Sequence, residues 1–324
     1  MNFARFSGPR GVALVVVLWA VGLISSALLG LSLMFQAQLD QEVAALQNAR
    51  AMLIAESGIQ MCLHRDIQSE DVEEASRQLS QRLQAGWRVP VEFGVGVEKF
   101  QQEEGRLNLN YWLADPNREK QAQIILQNLF AGWGVNLTTS VRVIDCLLDW
   151  VDPDDFPRSQ GAEGEDYREM KLGRPRNGPM EDLRELEDVM GWTVLAEEAQ
   201  KGPQAVNWRN KFTLFGSGKL SLKSADQDLI EAVLGMAPGT ARNFVAMRPG
   251  PDGRLGSRDD IINPALLPGV GEQLLQERTS SGEVDLWRVS STGKVGEVKR
   301  TLVALLTRNP PQVLARWLEE EEEK

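Results

Sequence analysis

Seven carboxylates crowd one short stretch of this chain: Asp149, Asp152, Asp154, Asp155, Glu163, Glu165 and Asp166, in a loop that contains Pro153 and Pro157. So many like charges in one loop need either full hydration or a hard cation. Calcium has the matching chemistry, because it takes several oxygen ligands from flexible loops. The candidate ligands are Asp149, Asp152, Asp154, Asp155, Glu163 and Asp166; helix capping on an ordinary acidic surface is the competing reading. A second loop, 250–261, reads Gly-Pro-Asp-Gly-Arg-Leu-Gly-Ser-Arg-Asp-Asp-Ile. Its glycine turns bring Asp252, Ser257, Asp259 and Asp260 near one another, as a short calcium loop requires, and a plain glycine-rich turn is the alternative.

Other chemistry is poorly supplied. His64 is the only histidine, and Cys62 and Cys146 are the only cysteines. That leaves no Ser/His/Asp or Cys/His pairing beyond chance and rules out a zinc site with several histidines, so the residues point away from an enzyme. The two cysteines are expected as buried free thiols rather than a bridge, and His64 is expected on the surface of a long helix. The formal net charge of -11 repels nucleic-acid phosphates. Residues 219–225, 234–235 and 241–248 have the rhythm of a helix-hairpin-helix. The hairpin at 234–239 carries no basic residue, so a scaffold for protein contacts is expected there rather than duplex DNA binding.

The elements that must hold these loops follow from periodicity. Residues 12–35 carry no charge, a length that spans a hydrocarbon core. Arg5 and Arg10 precede the span while Asp40 and Glu42 follow it, which leaves the N-terminus in the cytoplasm and sends the rest outward. Leu39, Val43, Leu46, Ala49 and Leu53 continue the helix with one apolar face, though Gly58 could loosen it. Val89, Val91, Phe93, Val95 and Val97 alternate as a strand over 87–100. Helices are expected at 118–133, 139–150 and 181–190. Strand character returns at Val284, Leu286, Trp287 and Val289 and again over 299–307, with Gly293 in the connection. Pro310-Pro311 is expected to end the sheet and leave a short polar helix, and the acidic run at 319–323 reads as a solvated tail. A chain of 324 residues with 42% hydrophobic content suits two or three packed units.

Arg10-Gly11-Val12-Ala13-Leu14 resembles a type IV prepilin processing site, where a membrane peptidase cuts after Gly11 and leaves Val12 as the mature terminus. A plain signal anchor with an accidental glycine is the alternative. Most pilin-like proteins carry Glu at the fifth mature position; here it is Val16. Further along, the chain resembles the K-type minor pseudopilins of type II secretion systems (general secretion pathway protein K). The resemblance rests on Gly105-Arg106-Leu107-Asn108-Leu109-Asn110, Leu148-Asp149-Trp150-Val151-Asp152, Asp154-Asp155, Pro157-Arg158, Gly161-Ala162-Glu163, Tyr167, Asn177-Gly178-Pro179, Leu183 and Glu185-Leu186. The missing acid at Val16 agrees with it.

This resemblance implies an α+β fold, a pilin-like long N-terminal helix packed on an antiparallel sheet. It also implies a large all-α (SAM- and helix-hairpin-helix-like) insertion. The implied units are a leader at 1–11, a transmembrane part at 12–35, the pilin-like helix and first strand at 36–102, the insertion at 103–282 with two helical subdomains meeting near 205, returning strands at 283–309 and an acidic tail at 310–324. The implied function is structural, at the tip of the secretion pseudopilus, in protein export across the outer membrane. Implied partners are the I-type and J-type minor pseudopilins, the major pseudopilin and the prepilin peptidase, with no nucleic acid. The chain would cross the inner membrane once, with a methylated Val12 and its bulk in the periplasm. The family has calcium-bearing members, which makes calcium the expected cofactor of the first loop; the loop at 250–261 resembles the calcium loop of the major pseudopilin. A type IV pilus minor pilin serving adhesion or DNA uptake is the alternative function.

Overall fold

The computed structural model describes residues 10–63, 93–203, 205–251, 253, 255, 259–281, 286–308 and 310–319. His64, residues 1–9 of the leader and the start of the expected strand at 87–92 lie outside them. Helix α1 (Arg10–Cys62) is one uninterrupted element of 53 residues, about 80 Å long at 1.5 Å per residue. Its apolar part stands bare, with Leu14, Leu18, Leu23, Leu28 and Phe35 all exposed. Its later part is buried on one stripe, Ala51, Ala55, Ile59 and Cys62, the spacing of one helical face. Gly58 does not loosen it and is itself buried.

Strand β1 (Phe93–Gln102) leads into the insertion. There β2 (Leu107–Asn108) precedes α2 (Leu109–Leu113), α3 (Glu119–Gly132), α4 (Leu137–Val151), α5 (Gly164–Glu169), α6 (Glu185–Asp188) and α7 (Trp192–Lys201). Two short strands follow, β3 (Phe212–Thr213) and β4 (Leu220–Ser221), then α8 (Gln227–Leu234), α9 (Arg242–Met247), α10 (Glu272–Arg278) and β5 (Thr279–Ser280). Helix α4 starts where Asn136 accepts the Thr138 N–H, an N-cap, and α8 ends at Gly235 with φ 68. The helix expected at 181–190 shrinks to α6 because the Glu185 carboxylate takes the N–H groups of Glu181 and Asp182, at 2.8 and 3.0 Å. The insertion is not wholly helical: β2 pairs with β3 and β4 with β5, both parallel. One buried cluster runs from Leu107 to Leu267, with Trp133, Trp192 and Phe212 in edge or tilted contact. It crosses the boundary expected near 205.

The chain then returns through β6 (Trp287–Val295), β7 (Val298–Arg308) and β8 (Pro311–Glu319). The sheet order is β1-β6-β7-β8, every neighbour antiparallel. The polar helix expected after Pro310 is instead the edge strand β8. Pro311 is its first residue, where no ladder N–H is required. Gly293 lies inside β6, not in the connection. A Cβ there would stand 1.9 Å from the Ala51 carbonyl oxygen, so glycine lets the helix backbone lie directly on the sheet. The connection is Gly296-Glu297, with Gly296 at φ 58. Trp287, Val289, Leu302, Ala304 and Leu306 face Ala55, Ile59 and Cys62 as a second, separate core.

These contacts fix polarity. Gly296 lies beside Gln47, Gly293 beside Ala51, and Arg316 pairs with Glu56. The β6–β7 turn therefore faces the apolar half of α1. The insertion leaves and rejoins at the opposite end, where Gln102 is paired with Trp287. Cys62 and Cys146 are buried, separate thiols, each pushed up to about 12 by burial first.

Candidate metal centre

The acidic loop hangs from the last turn of α4. Asp149 is fully buried there and accepts from the Arg158 backbone N–H at 3.1 Å and from Arg158 Nη1 at 2.6 Å. The same guanidinium pairs with Asp152 and, at 3.1 Å, with Glu119 of α3. Burial works against its charge, but hydrogen bonds to Glu119, Asp152 and Asp149 outweigh it and raise its pKa. Asp149 is itself pushed up by burial, with Arg158 opposing. The loop turns at Gly161, where a Cβ would stand 1.8 Å from Asp149 Oδ2; only glycine allows that approach. Gln160 N–H donates to Asp145 at 3.0 Å.

Of the six expected ligands of this loop, the fold brings three together. Single carboxylate oxygens of Asp152, Asp154 and Glu163 all lie within 4.8 Å of one another. That is about the span of two oxygens on opposite sides of a calcium ion at 2.4 Å each. Glu163 is 4% exposed, and both its carboxylate oxygens lack a hydrogen-bond partner among the described residues, as does Asp152 Oδ1. Burying such a group unpaired is costly, so the donor set fits a hard cation. The carboxyl of Glu163 is pushed up to about 7, by burial first and then by Asp149, Asp152, Asp155 and Asp154.

The other three have different partners. Asp149 holds Arg158. Asp166 accepts the Glu163 N–H at 2.9 Å and so starts α5. Asp155 accepts from Asn177 Nδ2 at 3.2 Å, and Asn177 N–H in turn donates to the Trp150 carbonyl at 3.0 Å. Glu165 is exposed. In the second loop, Asp252 and Ser257 lie outside the described residues. Asp259 packs on Gly250, where a Cβ would meet its carbonyl oxygen at 2.2 Å, and Asp260 follows it. Gly11 and Val12 are helical positions in the first turns of α1.

Residues 105–199 match the first-domain family of type II secretion system (T2SS) protein K. Type II secretion system protein K of Pseudomonas aeruginosa is 25% identical over 93% of this chain and 89% of its own length. Over most of its length the chain is therefore similar to type II secretion system protein K, and its residues 105–199 match that protein's first domain. A crystal structure of the GspK-GspI-GspJ complex from enterotoxigenic Escherichia coli contains a chain that superposes with a TM-score of 0.60 at 18% identity, over 89% of this chain and 100% of that one. The match carries the α+β pilin-like fold with its helical insertion. Together the sequence matches support a minor pseudopilin of type II secretion, and α1 is the one described helix long and apolar enough to anchor it in a membrane. The matched segment of this chain contains the whole acidic loop. Counting acids in the sequence missed Glu119, Arg158 and Asn177, which position the loop. Arg158 could have been found, since a buried aspartate in the apolar run at 146–151 requires a cation nearby.

Proposed function

We propose that this chain is a K-type minor pseudopilin and the tip subunit of the periplasmic pseudopilus, a structural part without catalytic activity of its own. The carrying observation is polarity: the apolar half of α1 and the bulky insertion lie at opposite ends of the sheet. With α1 in the inner membrane and the N-terminus cytoplasmic, the insertion stands farthest from the membrane and blocks stacking above it. Val16 suits that place. In pilin-like assemblies the acidic fifth residue neutralises the terminal amine of a neighbouring subunit, and an unpaired carboxylate in an apolar core is costly. A subunit with nothing above it has no amine to meet. The leader is cut after Gly11 by the prepilin peptidase, and Val12 becomes the mature terminus. The I-type and J-type minor pseudopilins are the partners, consistent with the complex solved for the Escherichia coli relative, and the major pseudopilin continues the filament below.

In this reading Asp152, Asp154 and Glu163 hold calcium, which neutralises their mutual repulsion and fixes the loop against α4. The 250–261 loop is the second proposed site, through Asp252, Ser257, Asp259 and Asp260. The test of the tip role is co-purification. A form starting near Gln38 should stay monomeric alone and form a complex with both partner minor pseudopilins. A homopolymer of this chain alone would refute the tip role.

A further inference from the structure

The sheet core and the insertion core are separate apolar clusters. Among the described residues, what joins them is polar and centred on Glu103, a residue with no exposed surface. Arg288 of β6 grips its carboxylate with two parallel bonds, Nε at 2.7 Å and Nη2 at 2.6 Å. Arg106, from the insertion side, reaches the same carboxylate at 3.3 Å. The Arg288 guanidinium also lies over the Trp317 ring of β8, 5.0 Å from its centroid. Glu103 N–H donates to the Leu286 carbonyl at 2.9 Å, which ties the outgoing crossing of the chain to the returning one. The residues just after Glu103 are fastened to the insertion. Glu104 accepts the Ser217 N–H at 2.9 Å, and a Cβ on Gly105 would stand 2.6 Å from Ser224 Oγ.

A buried Arg–Glu–Arg triad is poor evidence of stability, since apolar residues of similar volume often replace one at no loss. Its planar, two-pronged geometry instead specifies direction. Units with separate cores and a small polar junction move relative to one another by default. We propose that Glu103, with Arg288 and Arg106, is a positioning clasp that fixes the orientation of the insertion on the pilin-like sheet. Its link to export rests on the tip reading above; the clasp itself does not.

The test is a distance distribution in the full chain, held in detergent. Ile124→Cys in α3 and Glu297→Cys in the β6–β7 turn are exposed labelling positions, while Cys62 and Cys146 are buried thiols that leave the spin label to the new sites. Pulsed electron resonance of the wild-type background should give one narrow distance. Glu103→Met with Arg106→Leu and Arg288→Met should melt no lower yet broaden the distribution about twofold or more. Should that triple variant fail to fold, Glu103→Gln keeps the shape, and it should broaden the distribution in the same direction. A broad distribution in the wild-type background, or a narrow one in the folded variant, overturns the clasp. Loss of export with partner binding retained supports both the clasp and the tip reading. Broadening with normal export supports the clasp and counts against the tip reading.

Discussion

If Asp152, Asp154 and Glu163 hold calcium as proposed, replacing Glu163 by Gln should have opposite consequences with and without calcium, and that inversion is a sharp test of the proposal. In calcium-free protein the Glu163 carboxyl is buried, unpartnered and pushed up to about 7, against an ordinary value of 4.5. A carboxyl raised in this way binds its proton more tightly folded than unfolded. Its contribution to stability is full below 4.5 and is lost as the pH rises through 7, on the order of 3 kcal/mol in all. Glutamine has no proton to lose, so chelated Glu163→Gln should be more stable than chelated wild type at about pH 8, with the gap closing toward about pH 4. Calcium should reverse the order. Binding to the native state at a hundredfold excess over Kd stabilises by about 2.7 kcal/mol, roughly 5–10 °C in Tm for a unit of this size. The variant lacks the charge that holds the ion and should lose most of that gain. The assay is thermal melting followed by circular dichroism, in chelator and in calcium, across pH. If chelation leaves the wild-type curve unchanged at about pH 8, the cation reading fails. If chelated Glu163→Gln is no more stable than chelated wild type, the burial argument fails with it.

Three further outcomes are expected. Gly161→Ala should cost at least about 1–3 kcal/mol by urea unfolding, because its Cβ would meet Asp149 Oδ2 at 1.8 Å. Arg158→Ala should cost about 3–5 kcal/mol, since it strands the buried Asp149 carboxylate; adding Asp149→Asn should restore part of the loss, and no restoration would sink the pairing argument. Replacing Gly11 by a bulky residue should leave the precursor uncut, and mass spectrometry of the wild-type membrane form should find Val12 at the terminus; a terminus at Met1 would contradict processing.

What could be read in the sequence was whatever depends on near neighbours. The apolar run at 12–35 and the stripe continuing from Leu39 to Leu53 gave α1, and helical spacing placed α3 and α4 within two residues. What depends on contacts distant in sequence could not be read. Gly293 looks like a turn glycine, yet it is a strand residue whose missing side chain admits Ala51, 242 positions earlier by subtraction of the two numbers. Pro310-Pro311 reads as a stop, but an edge strand tolerates Pro311 at its start. The carboxylate loop shows the same division. Its acids are plain in the sequence, but Asp149 separates from the others only because the last turn of α4 is buried all round, from Cys146 to Val151.

The insertion also shows how a pilin-like sheet can gain bulk at one end without disturbing the other. Gln102 and Trp287 are register partners in adjacent antiparallel strands, so the segment between them occupies the place of a hairpin loop grown into a domain. Closing such a loop becomes costlier only slowly with length, about 0.6 kcal/mol per doubling. Its ends are already held together by the Glu103–Leu286 hydrogen bond and the Glu103–Arg288 pair. The helix–sheet contact at Ala51, Ala55 and Gly293 lies toward the opposite end and carries none of that load. Neither neighbouring hairpin is equivalent. The β6–β7 turn faces the apolar half of α1, where a domain would crowd the membrane surface, and β8 follows β7 after only two residues as an edge strand that closes the sheet. Of the three antiparallel connections, the β1–β6 end is the one that combines a membrane-distal position with a clamped neck, and that is where the chain has placed its extra mass.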